Sequence, residues 1–170
     1  EDGTLFFASD GFVGLGGLDI YYATLKSGKY GTPTNMGYPI NTHFDDLGLI
    51  FNKEKKKGYF ASNRDGGVAL FNPQTASVKR YPIQVDVNLQ YKPTLARHVL
   101  QDPDGVLWVG TDVGLFQLDL ETGLWRPYAL TKEPQQLNIG VLYLDGLKQL
   151  WVGTRGDGLF LLKPGNIQHY

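Results

Sequence analysis

The sequence predicts an all-β protein assembled from repeated four-stranded sheets, and three observations carry that prediction. Leu107-Trp108-Val109-Gly110-Thr111 returns as Leu150-Trp151-Val152-Gly153-Thr154, with the tryptophans 43 positions apart. Each copy is followed by Gly-Leu-Phe, at Gly114-Leu115-Phe116 and at Gly158-Leu159-Phe160. Short apolar runs bounded by Gly, Pro, Asn and Asp recur along the chain, and no segment carries the period of a long helix. A period in the forties built of short strands is the spacing of one propeller blade. The predicted fold is therefore a β-propeller-like array of about four four-stranded blades, the first lacking its innermost strand.

The last repeat is the clearest. Strands are predicted over 139–145, 149–155, 158–163 and 166–170, with turns at Asp145-Gly146, Gly156-Asp157-Gly158 and Pro164-Gly165. The preceding repeat has the same layout over 96–101, 106–111, 115–120 and 124–129. A third blade is read over 47–52, 58–63, 68–71 and 77–83. In the first blade, Phe6-Phe7-Ala8-Ser9-Asp10 echoes Tyr59-Phe60-Ala61-Ser62-Asn63. That alignment makes 4–9 a second strand, 20–25 a third and 30–35 a fourth, with no residues left for a first. The blades run approximately over 1–44, 45–84, 94–131 and 137–170 of a single domain or fragment. The segment 85–93 is the least repeat-like and is read as an inter-blade loop.

Composition narrows the function classes. Of the 170 residues, 42% are apolar and 19% charged, a balance that suits a folded domain rather than a disordered one. A formal net charge of −1 provides no field for nucleic acid or anionic lipid. The absence of cysteine removes disulfides and thiolate chemistry. No apolar run is long enough to span a bilayer, so no membrane insertion is expected of this segment. The chain opens on Glu1 with no signal-like pattern, as expected of a trimmed or excised segment.

Motifs for catalysis or cofactors are weak. Gly14-Leu15-Gly16-Gly17 lacks the third glycine of a dinucleotide fingerprint and no helix follows it, so a tight turn before Asp19 is the simpler reading. Asp10 with Asp19, and Asp102 with Asp104, flank turns but lack the ligand run of a calcium loop. Short carboxylates at such places bond their own backbone. His43, His98 and His169 stand in different blades without a zinc-type spacing, and His98 can face a central channel. Asp45-Asp46 reads as a turn cap ahead of an inner strand, and no Gly-x-Ser-x-Gly elbow is present. Neither a cofactor nor an enzyme is expected. The run from Lys53 to Lys57 falls where a hairpin turns and reads as solvated. Trp108 and Trp151 share one repeat position and are expected to pack between blades.

Two stretches carry family resemblances. Leu5-Phe6-Phe7-Ala8-Ser9-Asp10, Leu18-Asp19-Ile20-Tyr21 and Gly58-Tyr59-Phe60-Ala61-Ser62-Asn63-Arg64 make the region 4–67 resemble WD40-like repeats of the TolB type, which occur beside OmpA-like domains in envelope proteins. From about Gly67 onward, Asp102-Pro103-Asp104-Gly105-Val106-Leu107-Trp108-Val109-Gly110-Thr111 and its second copy resemble the two-component regulator propeller repeat. That repeat implies an extracytoplasmic, often glycan-responsive, sensor propeller. The expected function is a non-enzymatic extracytoplasmic module whose inter-blade loops meet a protein or a glycan. Alternatives are the glycan-sensing part of a hybrid two-component receptor, a propeller lyase or hydrolase, and an engineered chimera joined near Gly67. From loop position and from the value of Tyr, Trp and Arg at interfaces, the candidate binding residues are Phe44, Tyr91, Arg97, Trp125, Tyr128 and Arg155. A homodimer completing a propeller is a further expectation.

Overall fold

The computed structural model describes residues 3–52, 54, 56–85, 89–132 and 136–170, which form seventeen strands and no helix. Three complete blades follow one another. The first of these comprises β6 (Asp46–Phe51), β7 (Gly58–Ser62), β8 (Val68–Asn72) and β9 (Ser77–Tyr81). The next comprises β10 (Ala96–Gln101), β11 (Leu107–Thr111), β12 (Leu115–Leu118) and β13 (Trp125–Tyr128). The last comprises β14 (Ile139–Leu144), β15 (Leu150–Thr154), β16 (Leu159–Lys163) and β17 (Asn166–His169). Each is an antiparallel meander in sequence order, the arrangement that short turns between consecutive strands impose.

The N-terminal blade is three-stranded, in the order β1 (Leu5–Ser9), β2 (Asp19–Ala23), β5 (Thr34–Asn35). It lacks the innermost strand, as its residues implied. Its outer strand is shorter than 30–35, because part of that segment is used elsewhere. Ser27 and Gly28 adopt positive φ (49° and 75°) and fold β3 (Leu25–Lys26) onto β4 (Lys29–Tyr30) as a separate ribbon. Only Thr34 and Asn35 remain to pair with Tyr22 and Tyr21. Of the expected loops, Lys53 and Lys55 in one and 86–88 in another lie outside the described residues.

Strand alternation sends successive side chains to opposite neighbours, so the apolar core is divided into three seams between blades. In β11, Leu107 and Val109 enter the seam with the second blade, together with Tyr59, Tyr81, Val99 and Phe116. Trp108 enters the seam with the fourth blade, with Leu142, Leu150, Val152 and Phe160. Phe6, Ile20, Ile40, Phe60 and Phe71 fill the seam between the first two blades. Every seam is built from residues of two sheets, which is why one blade cannot stand alone.

Carboxylates at the turns fasten these sheets. Asp102 accepts the backbone N–H groups of Asp104 (3.0 Å) and Val106 (2.9 Å), and its second oxygen accepts the Trp108 indole N–H at 2.8 Å. Asp145 does the same for Leu147 and Gln149, with the Trp151 indole at 2.9 Å. The Asx-turn reading of Asp102 is therefore right, but the link to a tryptophan six residues on is a feature of the repeat that sequence reasoning missed. Between the first two blades, Arg64 pairs with the fully buried Asp46 at 2.8 Å. Its guanidinium also donates to the carbonyl of Ile40 and to the Ser62 hydroxyl, over the face of Phe60. Asp46 in turn accepts from the backbone N–H and hydroxyl of Thr42. Asp45 accepts from Leu18 N and Asn63 Nδ2, so both members of the Asp45-Asp46 pair are consumed in holding the turn.

Two expectations follow. Arg64→Met strands the Asp46 carboxylate in the seam and should cost about 3–5 kcal/mol, read as a lower urea midpoint. At Asp145, hydrogen bonds from Gln149 N and then the Trp151 indole hold the carboxyl below its ordinary range. A depressed folded value makes its contribution to stability complete above the unfolded value of about 4 and lost as pH falls through the folded one. Asp145→Asn should therefore lower the thermal midpoint at pH 7, and the gap to the unsubstituted protein should close as the pH is taken below about 4.

Candidate functional site

Four-stranded antiparallel meanders place the turn between strands two and three at the same end of the sheet as the connection to the next blade. In the third blade these are the segment 112–114 and the flanking segments 82–95 and 129–138. The two are tied together. Asp112 accepts the backbone N–H groups of Thr94 (3.0 Å) and Leu95 (3.2 Å) as well as the Thr94 hydroxyl. On the other side, Leu137 N donates to Val113 O at 3.1 Å. A groove of about 300 Å³ lies between these connections. Leu89, Tyr91, Leu115, Pro127, Tyr128, Lys132 and Leu137 are among the residues that line it. The Tyr128 ring is held edge-on to Trp108 at 5.0 Å, so the Asp102–Trp108 clasp at the far end of the blade indirectly sets one wall of the groove.

Tyr91 and Tyr128 are thus brought together from loop and strand positions separated by a whole sheet. Phe44 goes elsewhere. It is 36% exposed, 4.1 Å ring to ring from His43, and lines a broad crevice between the first two blades with Tyr38, Arg64 and Arg80. Arg97 and Arg155 line neither space. Arg155 is exposed and its backbone N–H donates to Asn138 O at 2.7 Å. Arg97 is half-buried at a bulge in β10, and its Nε has no partner among the described residues.

Trp125 is the correction. It lies on an outer strand, as expected, but it is fully buried and offers nothing to a ligand. Its cross-strand partner is Leu118, which faces the second blade, and the register sends the indole into the same seam beside Phe116. Its backbone N–H donates to Gln84 O at 2.9 Å, pinning the outer strand to the incoming loop. His98 also departs from the channel-facing expectation. It has the strand parity of Leu100, which packs in the seam with the fourth blade. Burial pushes its imidazole below the ordinary histidine value, favouring the neutral ring.

Residues 91–113 match the family model described as two component regulator propeller. This span begins at Tyr91 and contains the Thr94–Asp112 tie, β10 and β11. No curated protein matches the chain. Among solved structures, the chain is similar to the extracellular domain of the hybrid two component system BT4673 from Bacteroides thetaiotaomicron, with 25% identity and a TM-score of 0.60, covering 98% of this chain and 21% of that one. It is similar in fold to PorZ, a surface component of the type-IX secretion system of Porphyromonas gingivalis, at 17% identity and a TM-score of 0.58, over 92% of this chain and 25% of that one. It is also similar in fold to virginiamycin B lyase from Staphylococcus aureus, at 12% identity and a TM-score of 0.61, over 100% and 56% of the two chains. The chain spans about a fifth of the length of the BT4673 domain. Residues 91–113 therefore carry a two component regulator propeller repeat, set in a chain built as four blades of a β-propeller.

Proposed function

We propose that this chain is a binding module rather than a catalyst, working outside the cytoplasm, and that its ligand enters the groove between Tyr91 and Tyr128. The observation that carries the reading is the groove's chemistry. Its lining is mainly aromatic and aliphatic, Lys132 is the charged residue that lines it among the described residues, and two tyrosines contribute amphipathic surface. A pyranose offers an apolar face edged by hydroxyls, and an apolar side chain of a protein partner offers the same face without them. Both suit a lining of this kind.

Several turn carboxylates are engaged in structure. Asp19, Asp45, Asp46, Asp102 and Asp112 each accept backbone or side-chain hydrogen bonds that hold turns. This supports binding over turnover. Extracytoplasmic placement rests on the likeness to the extracellular BT4673 domain, and the same likeness favours a more specific reading. On that reading the chain is the sensing part of a hybrid two-component receptor, and the groove ligand is a glycan.

The test is a glycan array followed by calorimetric titration of any hit. Tyr128→Ala should weaken a groove ligand by about tenfold or more, the loss typical of an aromatic anchor. Arg155→Ala, outside the groove, should leave affinity unchanged. Binding that ignores both tyrosines removes the groove from the reading, and turnover of a hit by the unsubstituted protein replaces the binding module with an enzyme.

A further inference from the structure

The crevice beside Phe44 has its walls within the first two blades, and it opens because their outer strands are unequal. β9 has five residues, whereas β5, the outer strand of the first blade, has two. Val78 of β9 packs into the first seam, and Arg80 shares its strand parity, so both side chains are directed towards the first blade. Where β5 stops short, a crevice of about 1060 Å³ follows β9 from Ala76 and Val78 to Arg80, and on to Phe44. Between Ala76 and Arg80 the backbone advances about 13 Å, the span of a short extended chain.

Apolar side chains stand at this crevice with much of their surface in water. Tyr38 is 82% exposed and Leu15 55%, and Phe44 joins them. Leu15 is held in place. A Cβ at the neighbouring Gly16 would collide with the carbonyl oxygens of Phe44 and Thr42, and Leu18 N donates to Asp45 at 2.8 Å. The turn that carries Leu15 is thus packed on the connection that carries Phe44. Little ordering is left for a ligand to impose.

The formal charges lining the crevice are of one sign. Arg64 and Arg80 line it, and no carboxylate does among the described residues. Arg64 is spent on Asp46 and on backbone carbonyls. Arg80 is differently placed. It pairs with Asp65 at 3.0 Å, just outside the lining, and both side chains are about half exposed. An exposed pair of this kind contributes little, so Arg80 can exchange Asp65 for another carboxylate at small cost. β9 is also the last strand of its sheet, and its outer edge offers backbone N–H and C=O groups to a guest chain.

We propose that this crevice docks an extended acidic segment of another protein, laid along β9. Arg80 takes a carboxylate of the segment, and Leu15, Tyr38 and Phe44 take its apolar side chains. The site is separate from the groove between Tyr91 and Tyr128, with which it shares no lining residue. A peptide fits better than an acidic sugar for two reasons. The apolar contacts lie apart along a strand-length opening, and the strand edge beside them pairs with a peptide backbone and not with a pyranose.

Fluorescence anisotropy with a dye-labelled Glu-Glu-Leu-Leu-Glu-Glu peptide tests this, since that pattern puts both residue types on either face of an extended chain. The peptide should bind saturably below about 1 mM, and more weakly as salt is raised. Its Lys-Lys-Leu-Leu-Lys-Lys counterpart should bind at least about tenfold more weakly. Arg80→Glu should cost the acidic peptide about tenfold, while Asp65→Asn, which frees Arg80, should tighten it by about threefold. Tyr38→Ser, at an exposed site, serves as a second disruption should Arg80→Glu disturb folding, as read by circular dichroism. Tyr128→Ala should leave this peptide's affinity unchanged. No saturable binding, equal binding of the two peptides, or binding indifferent to both Arg80→Glu and Tyr38→Ser overturns the proposal. Loss of binding in Tyr128→Ala also overturns it, as does displacement of the peptide by an equal concentration of tetragalacturonate, which would make the occupant an acidic glycan.

Discussion

Each sheet of this protein is apolar on both faces, and the rest of the structure depends on that constraint. A strand that alternates side chains between two apolar seams cannot turn one of them to water without exposing tryptophan, phenylalanine or leucine. Trp108 and Val109 are adjacent in sequence and enter different seams. The same parity separates Phe6 from Phe7 and Tyr59 from Phe60. The chain therefore has no single core. It has three, each shared by two blades, and removing either middle sheet would open the seams on both sides of it.

The polar groups divide into two sets by what this packing requires. Turns at the ends of tightly stacked sheets leave backbone N–H groups that no strand can satisfy, and short carboxylates take them up. Asp102 and Asp145 hold one end, each gripping the indole of its own blade. Asp112, Asp45 and Asp46 hold the other, where they join turns to inter-blade connections. Once these groups are committed to structure, the groove between Tyr91 and Tyr128 is left with a mainly aromatic and aliphatic lining. The Asp112 carboxylate beside that groove is taken up by Thr94 and Leu95.

Much of the fold is legible in the sequence, because blade repeats write their turns and their glycines in fixed places. The Leu-Trp-Val-Gly-Thr echo located β11 and β15, and the echo of Tyr59–Asn63 at Phe6–Asp10 identified β1 as a second strand. Trp125 was misjudged for a reason that is equally local. An aromatic that breaks a repeat on an outer strand invites a surface role, but its fate is decided by its cross-strand partner Leu118, and that register is set by the Asp119–Gly123 turn rather than by the tryptophan's own neighbours. Arg64 escaped notice because its partner Asp46 is eighteen residues away and meets it only after β6 and β7 pair.

The candidate site was legible only in part, and topology explains which part. Tyr91 and Tyr128 precede and follow one complete sheet, and a four-stranded meander returns the chain to the end from which it started. Residues just before the first strand and at the end of the fourth must therefore approach each other, provided the loop is drawn inward. Asp112 provides that pull through Thr94 and Leu95, and nothing in the residues around Tyr91 announces it. Phe44 stands at the corresponding connection one blade earlier, but there the inward pull is made by Asp46 on Thr42 and by Arg64 on Ile40. These draw the backbone into a polar clasp and leave Phe44 against His43 on a broad crevice. Two connections of one kind thus yield a mainly apolar groove and a wider crevice of mixed lining, and the difference is set by which side chain reaches the loop.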